Sequence, residues 1–498
     1  MAAAVQQFVL MPFRGSRASL GANLAGHRSF LTAHQAGNFS ASSLSLKPLP
    51  TKGGASPVKV LDSIHEDGAK LIEATPEAMM ALRATQPGLR VVPVVYYKQA
   101  RASRATVESR PKTAAGAVST KMTITIVSKE SGKPIPGCTV VAFLDFATKQ
   151  GAQGTTNANG QVSLQLGGSG KKLDRLYVYP ELNFWGLLKK GVTVSNGDQF
   201  TLQTLAPNHA DCVRNFYGAS DLKNGTGVTV GVIDSGVDTK HPDLRVAGGR
   251  NTVQGENSND FGDNGGHHGT HVGGIIAARG TAPQGRLGIA PDVSLRSYRV
   301  FGQNADRASN FAIAKAIDFA VADGCDLINM SLGGGPADEL TQTAIADARS
   351  AGTLVIIAAG NEDRSPVDFP AREPRAIAVS ALGRKGTFPA QSTESGDVAS
   401  PFGKDKKNFI AAFSNIGPEI DVTGPGVGVV STVPGGYAPM SGTSMACPAV
   451  TGFAARILSG KLPATRDQSR SDAMAQALFV AAKTMGFPLD FQGHGLPQ

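Results

Sequence analysis

The chain has 498 residues, of which 41% are hydrophobic and 6% aromatic, and it carries a net charge of +9 at pH 7. This length exceeds one ordinary domain, and no apolar run reaches the roughly 18 residues that a membrane span needs. Residues 1–115 hold 14 Lys and Arg against 6 Asp and Glu, so most of the excess positive charge lies there. Because that part is rich in Ser and Ala and lacks interleaved aromatic residues, we expect no nucleic-acid binding and no membrane span.

The N-terminal 104 residues combine ordered and loose sequence. Residues 5–13 predict a short strand, and the Gly-, Ser- and Ala-rich stretch 14–56 predicts a loose segment. Within 57–98, "PVKVLDSI" predicts a strand, "TPEAMMALRATQPG" a capped helix and "LRVVPVVYY" a second strand. We therefore predict an α+β unit with loose basic segments over 1–104. The sequence is expected to be exposed from 99 onward, with a linker at 105–119.

The N-terminus and the cysteines bear on the cellular compartment. The first 21 residues lack a cationic start followed by a long apolar core, so we expect no signal peptide. This favours an intracellular location or non-standard export over standard secretion. The four cysteines, Cys138, Cys212, Cys325 and Cys447, form no CxxC pair, so a disulfide framework is not indicated.

Residues 120–204 have the pattern of a β-sandwich. Five short apolar stretches, "KMTITIVSK", "CTVVAFLDF", "GQVSLQLGG", "LDRLYVYP" and "DQFTLQTL", are separated by turns such as "ESGKPIPG" and "NANG". Short strands at regular spacing with Gly- and Asn-containing turns are typical of sandwiches.

From about residue 225 strands alternate with helices. "GVTVGVID", "CDLINMSLGGG" and "TLVIIAAGN" are apolar strands, and amphipathic helical stretches lie between them. Such alternation predicts a parallel sheet with helices on both faces, an α/β fold. Functional residues in these sheets lie at the carboxyl ends of strands, where Asp234, Ser331 and Asn361 fall.

Three polar residues, Asp234, Ser444 and Asn361, could each take part in catalysis. Asp234 ends an apolar strand, where an unpaired carboxylate is costly, but a turn aspartate fits equally. Ser444 begins the helix in "SGTSMACPAVTGFAARIL", near the positive end of the helix dipole, although a capping serine is the simpler interpretation. Asn361 could donate to an oxyanion or merely stabilise a turn.

Three histidines lie within five positions of "GGHHGTHVGG", namely His267, His268 and His271. His268 and His271 share a helix face, which would suit metal binding if a third ligand lay nearby. The stretch alone does not separate a metal ligand from a general base or a structural histidine.

Six segments taken together resemble the subtilisin-like serine proteases, or subtilases, over 205–498. They are "VGVIDSGVDTKHPDL", "HHGTHVGG", "INMSLGGG", "AAGNE", "FPAREPRAIAVSA" and "SGTSMACPAVTG", in the family's order of Asp, His and Ser. The resemblance implies a subtilisin-like parallel sheet and a serine endopeptidase with catalytic residues Asp234, His268 and Ser444. Asn361 would supply the oxyanion hole, and His271 would be structural, with His267 at the rim of the cleft.

The resemblance also implies where substrate binds. Ser331, Leu332, Gly333 and Gly334 match the segment to which a peptide adds as a strand, with Glu362 and Asp368 lining the pocket for the residue before the scissile bond. A carboxylate there would favour Lys or Arg, unless Arg364 neutralises it. No metal or cofactor is required. Asp243 matches a calcium ligand of the family, but the companion loop "ARGTAPQGRLG" carries Arg279 and Arg286 rather than oxygen ligands, so calcium is doubtful.

The remaining units extend this resemblance. Residues 58–97 resemble the family's inhibitory propeptides, so the expected partners are protein or peptide substrates and the chain's own propeptide. We expect Tyr96–Arg104 near the cleft and cleavage between about 97 and 112. Cleavage near 205 would instead make the sandwich part of the propeptide. The sandwich resembles Ig-like or carboxypeptidase-regulatory-like domains in "GKPIPGCTV" and "TTNANGQV", and its role is open.

Two other functions are consistent with the same residues. A protease-like binding protein could use the triad only to cleave itself, and a serine hydrolase could act on esters. The strand-like "SLGGG" segment favours peptides over esters.

Overall fold

A computed structural model describes residues 5–12, 15–17, 58–85, 88–109, 121–166, 171–281 and 285–498. The loose segment predicted for 14–56 lies outside the described residues, except for 15–17, and so does the linker from 110 to 119. Among the described residues, no helix is long and apolar enough to cross a bilayer.

The N-terminal unit is a four-stranded antiparallel sheet covered by one helix. Its strands are β1 (Gln6–Met11), β2 (Lys59–Ser63), β3 (Lys70–Ala74) and β4 (Arg90–Pro93), in the order β2-β3-β1-β4, with helix α1 (Pro76–Thr85). Leu10, Ile72 and Leu82 are buried between sheet and helix. The predicted α+β unit is therefore present. The strand predicted for "LRVVPVVYY" is wrong as a single element, because it breaks after Pro93 and β5 (Tyr96–Gln99) joins another sheet.

Residues 121–202 form two packed sheets, as the pattern predicts. One sheet has the order β11-β10-β7-β8 and the other β12-β6-β9. Their strands are β6 (Lys121–Ser128), β7 (Thr139–Asp145), β8 (Gln150–Thr155), β9 (Gln161–Gln165), β10 (Lys171–Tyr179), β11 (Leu187–Val194) and β12 (Gln199–Leu202). Apolar side chains from both sheets, among them Ile124, Val140 and Leu176, are fully buried between them. β8 and β11 were not predicted.

The C-terminal unit is built on a largely parallel sheet with the order β14-β15-β13-β17-β19-β20-β21, and β22 also pairs with β20. Its strands are β13 (Thr229–Asp234), β14 (Val246–Asn251), β15 (Ser294–Arg299), β17 (Leu327–Met330), β19 (Leu354–Ala358), β20 (Ile377–Arg384), β21 (Asn408–Ile410) and β22 (Val422–Pro425). Every residue of β17 and β19 is buried, because helices cover both faces of the sheet.

Helices and short strands complete this unit. The helices are α2 (Cys212–Tyr217), α3 (His268–Ala277), α4 (Asn310–Ala322), α5 (Glu339–Ser350), α6 (Thr443–Leu458), α7 (Gln468–Ala481) and α8 (Leu489–Gln492). The short strands are β16 (Arg307–Ser309), β18 (Leu332–Gly333), β23 (Val429–Val433), β24 (Gly436–Met440), β25 (Ala482–Lys483) and β26 (Leu496–Pro497). The α/β class predicted from the alternation is confirmed, with α6 buried along most of its length.

The N-terminal unit lies on helices α4 and α5. Asp62 accepts two hydrogen bonds from Lys315, at 2.6 and 2.8 Å. Arg17 pairs with Asp318 through two contacts of 2.6 Å, and Arg90 contacts Glu339 at 2.7 Å. These ion pairs hold the N-terminal unit against α4 and α5.

The sandwich is fixed to the C-terminal unit by backbone bonds. The N–H of Asn183 donates to the carbonyl of Tyr437 at 2.7 Å, and the N–H of Leu188 donates to Gln391 at 2.7 Å. Trp185 is 1% exposed and packs edge-on against His209. The sandwich therefore has a defined position beside β24.

Candidate active site

The carboxyl end of β13 presents a buried carboxylate to a buried imidazole. Asp234 is the last residue of β13, and His268 begins α3. Nδ1 of His268 lies 2.8 Å from Oδ1 of Asp234 and 3.0 Å from Oδ2, and both side chains are fully buried. Because a carboxylate only accepts hydrogen bonds, Nδ1 is the donor and Nε2 is left free to accept a proton. Nε2 has no partner in the structure.

The third residue of the predicted triad begins α6. Ser444 is fully buried in the first turn of that helix, after Gly442 at its N-cap. Its hydroxyl donates to the carbonyl of Ser331 at 3.1 Å, while the hydroxyl of Ser331 donates to the carbonyl of Ser444 at 3.0 Å. The helix start thus faces the end of β17, and the serine is not hydrogen-bonded to His268.

Asn361 follows β19 and points an unused amide toward the same place. Its Oδ1 accepts from the N–H of Thr443 at 2.8 Å, which fixes the side-chain orientation. Its Nδ2 is buried and has no hydrogen-bond partner. A buried donor without an acceptor is costly, so this amide is suited to an oxygen that arrives during the reaction.

The cleft between these residues contains a stretch of the chain itself. β5 pairs with β16 on one side and with β18 on the other, so that Gln99 faces Leu332 and Lys98 faces Gly333. The N–H of Ala100 donates to the carbonyl of Ser331 at 3.0 Å, and its carbonyl accepts from the N–H of Ser444 at 2.9 Å. Past this point the N–H of Ala102 donates to the carbonyl of Ser441 at 3.0 Å. The chain therefore crosses the cleft in an extended form.

Comparison with known proteins identifies the family to which the chain belongs. A family model described as the subtilase family matches residues 225–495, just over half of the chain. The chain belongs to the subtilase family. It is 38% identical to subtilisin from Bacillus pumilus over 280 residues, which cover 53% of this chain and 92% of that protein. Subtilisin NAT from Bacillus subtilis subsp. natto is also 38% identical, over 278 residues that cover 53% of this chain and 66% of that protein.

The chain thus spans somewhat less than two thirds of subtilisin NAT. Among solved structures, sphericase matches with 28% identity and a TM-score of 0.49, covering 59% of this chain and 99% of that one.

The pocket residues of this subtilase lie together beside the strand that β5 joins. A Cβ added at Gly333 or Gly334 would lie within 3.6 Å of Asp368, so the Asp368 carboxylate lies directly beside these glycines. Burial, followed by the negative charge of Glu362 and a hydrogen bond that the protonated Asp368 donates to it, raises the pKa of Asp368 to about 7. Glu362 is exposed and accepts from the Asn415 amide at 2.7 Å.

Arg364 does not neutralise this pocket. Its guanidinium donates to the carbonyl of Ile410 at 2.7 Å and lies over the ring of Phe491. The alternative that Arg364 pairs with Asp368 is therefore not observed.

The other two histidines are outside the reaction centre. His271 is fully buried, and its Nε2 lies 3.1 Å from the carbonyl of Val429 and 3.0 Å from that of Ala438. Burial lowers the pKa of His271 to about 3, so it stays neutral and ties α3 to β23 and β24. His267 is half-buried at the N-cap of α3 with φ 63°.

The residues around Asp243 do not fit a calcium ion. Its Oδ2 accepts from the N–H of Arg286 at 2.8 Å and from the hydroxyl of Tyr437 at 2.6 Å. Donors at these positions occupy the lone pairs that a cation would need. Over the described ranges, no three His, Cys, Asp or Glu side chains cluster as metal ligands.

The sequence predicts that Tyr96–Arg104 lies near the cleft, but it does not predict the individual contacts that hold this stretch there. Ala100, Ala102 and Ser441 make these contacts through backbone groups, which any residue type supplies. Only Gly442 carries a signal, since a Cβ there would lie 2.9 Å from the Cα of Arg101. Most residues of 101–109 are exposed, but Ala100 is 6% exposed and Ala105, Val107, Glu108 and Ser109 bond to the sandwich, so this stretch is held in place rather than forming a free linker.

Proposed function

We propose that this subtilase is a serine endopeptidase made as a zymogen, and that it cleaves its own Ala100–Arg101 bond. The supporting observation is the hydrogen bond of 2.9 Å between the Ala100 carbonyl and the N–H of Ser444. It places the carbonyl carbon of Ala100 beside the serine at the start of α6.

The proposed reaction uses each side chain for one task. The hydroxyl of Ser444 turns from Ser331 toward His268, loses its proton to Nε2 and attacks the carbonyl carbon of Ala100. The oxyanion accepts from the N–H of Ser444 and from Nδ2 of Asn361. His268 then gives the proton to the amine of Arg101, which leaves. A water, deprotonated by His268, hydrolyses the ester and regenerates Ser444.

Asp234 supports this cycle by charge and orientation. It fixes the tautomer of His268 and stabilises the imidazolium that forms when Nε2 takes the proton. The two-sided strand pairing of β5 supports a peptide substrate over an ester, because main-chain bonds supply the binding.

Mass spectrometry of the purified protein tests the proposal. We expect a new N-terminus at Arg101, a Ser444→Ala variant that stays intact, and fluorophosphonate labelling of Ser444 alone. Labelling that survives Ser444→Ala, or an active enzyme retaining Met1, would contradict it.

A protease-like binding protein that cleaves only itself is the second candidate, favoured by the chain's own occupation of the cleft on both sides of Ala100. Turnover of denatured casein separates the two. A protein that cuts its own bond but leaves casein intact would be the self-limited one.

A further inference from the structure

The outer face of the sheet β11-β10-β7-β8 carries an apolar cluster that the sandwich core does not use. Alternate residues of β7 point to opposite faces, so Val140 and Ala142 enter the core while Val141 and Phe143 lie outside. We call this cluster the aromatic face, and its members are Val141, Phe143, Phe146, Tyr177, Tyr179 and Leu188. The rings of Tyr177 and Tyr179 stack at 5.7 Å, and Arg175 lies 3.4 Å above the ring of Phe146.

Residues 101–109, which we call the arm, cover the aromatic face. Ala105 and Val107 pack against it, while Arg104, Thr106 and Glu108 are exposed. This alternation is that of an extended strand. Arg104 lies 5.2 Å from the ring centre of Tyr179.

Hydrogen bonds hold the arm along its length. The N–H of Ala105 donates to the hydroxyl of Tyr179 at 3.1 Å, and the N–H of Val107 donates to Oε1 of Gln153 at 2.9 Å. The N–H of Glu108 donates to the carbonyl of Lys149 at 3.0 Å, and the N–H of Gly151 donates to the carbonyl of Ser109 at 3.0 Å. Because β8 is an edge strand, these last bonds extend its sheet.

The aromatic face continues the cleft on the leaving side of Ala100. A cavity of about 460 Å³ lies between sandwich and C-terminal unit, and Arg101, Tyr179 and Asn361 are among its lining residues. The bonds of Asn183 and Leu188 to Tyr437 and Gln391 hold the two walls together. The residues that follow Ala100 therefore pass from the active site along this cavity directly to the sandwich.

We infer that the aromatic face binds the part of a substrate that follows the scissile bond, as an extended segment whose fifth and seventh residues after that bond carry small apolar side chains, as Ala105 and Val107 do in the arm. This rests on the proposed function, because the Ala100–Arg101 bond fixes the direction. After cleavage the arm stays joined to the sandwich and competes for the same face.

Two quenched peptides test the inference on the Val107→Glu variant, produced as the full chain and used after its Ala100–Arg101 bond has been cut. A buried carboxylate at 107 displaces the arm from the apolar face. Both peptides share the residues before the bond and the first four after it, and the long one continues to nine as Arg-Ala-Ser-Arg-Ala-Thr-Val-Glu-Ser. We expect about 10-fold higher kcat/KM for the long peptide, from its strand pairing and apolar contacts.

Matched substitutions in that background locate the effect. Gln153→Ala should remove most of the advantage of the long peptide and leave the short peptide unchanged, because Gln153 accepts from the N–H of Val107, the seventh residue after the bond, which the short peptide lacks. Gln161→Ala changes an exposed glutamine on the other sheet and should keep the advantage. Equal kcat/KM for both peptides would overturn the inference about the aromatic face but would leave the proposed protease activity supported.

If neither peptide is cut, the proposed function fails and binding decides the inference. A fluorescein-labelled nonapeptide of the arm sequence should then bind Val107→Glu saturably and lose affinity in the Tyr179→Ala variant. Absence of binding, or equal binding by both, would refute the aromatic face as a site.

Discussion

Replacing Asp368 by Ser should abolish a preference for Lys or Arg before the scissile bond. The carboxylate lies beside Gly333 and Gly334, and its burial next to Glu362 disfavours ionisation in the absence of a cation. A guanidinium that binds it restores a charge-assisted hydrogen bond, which contributes about 2 kcal/mol. This corresponds to roughly 30-fold in kcat/KM, since about 1.4 kcal/mol is tenfold.

The assay compares peptides that differ only at that position, carrying Arg, Lys, Ala or Phe. The ratio of kcat/KM for Arg over Ala should fall roughly 30-fold in Asp368→Ser. Because the pKa of Asp368 is raised to about 7, the ratio in the unmodified enzyme should rise as the pH increases through 7. Below that pH the carboxyl is protonated and attracts no cation.

Arg364→Ala is the control, since Arg364 bonds to Ile410 rather than to the pocket, and the ratio should not change. A preference for Phe over Arg that persists in Asp368→Ser would refute both the electrostatic reasoning and the assignment of the pocket.

Three further outcomes follow from the geometry. Asn361→Ala should lower kcat by about 10²–10³ with little change in KM, because its unpartnered amide donates only to the oxyanion, and unchanged kcat would exclude that role. Gly442→Ala should slow self-cleavage, followed as a time course on gels, because the new methyl group would contact the backbone at Ala100 and Arg101. Processing at the normal rate would mean that the chain does not cross the cleft beside Gly442. Lys315→Ala should raise the inhibition constant of the separated N-terminal unit several-fold, because it leaves the partly buried Asp62 unpaired. An unchanged inhibition constant would show that the ion pair does not contribute to binding of the unit.

The sequence predicted the residues whose chemistry is visible in their side chains. Asp234 and Asn361 follow apolar strands, and parallel strands bring such ends together, so the α/β pattern and the family's motifs suffice to place them. Where contacts are made by backbone N–H and C=O groups, the residue types do not reveal which positions make them. Ala100 and the arm have the composition of a linker, yet hydrogen bonds to Ser331, Ser444 and Lys149 order them.

Strands without a strong apolar alternation were missed for a related reason. β8 has the sequence "QGAQGT", and only its pairing with β7 makes it a strand. In "LRVVPVVYY" the apolar run is continuous, but Pro93 cannot donate to a ladder. The division into two sheets follows from tertiary pairing with β16 and β18, which lie more than 200 residues further along the chain.

The backbone joins the N-terminal unit to the rest of the molecule through Ala100–Arg101, and under the proposed self-cleavage this connection makes inhibition by the N-terminal unit depend on concentration. While the bond is intact, the N-terminal unit binds intramolecularly, at an effective concentration that dilution cannot change. Once the bond is cut, the contacts at Lys315 and Asp318 and the strand pairing of β5 remain, but the complex becomes bimolecular and dissociates on dilution. At high protein concentration the cleaved molecules would remain inhibited. Dilution would activate them without a second chemical step.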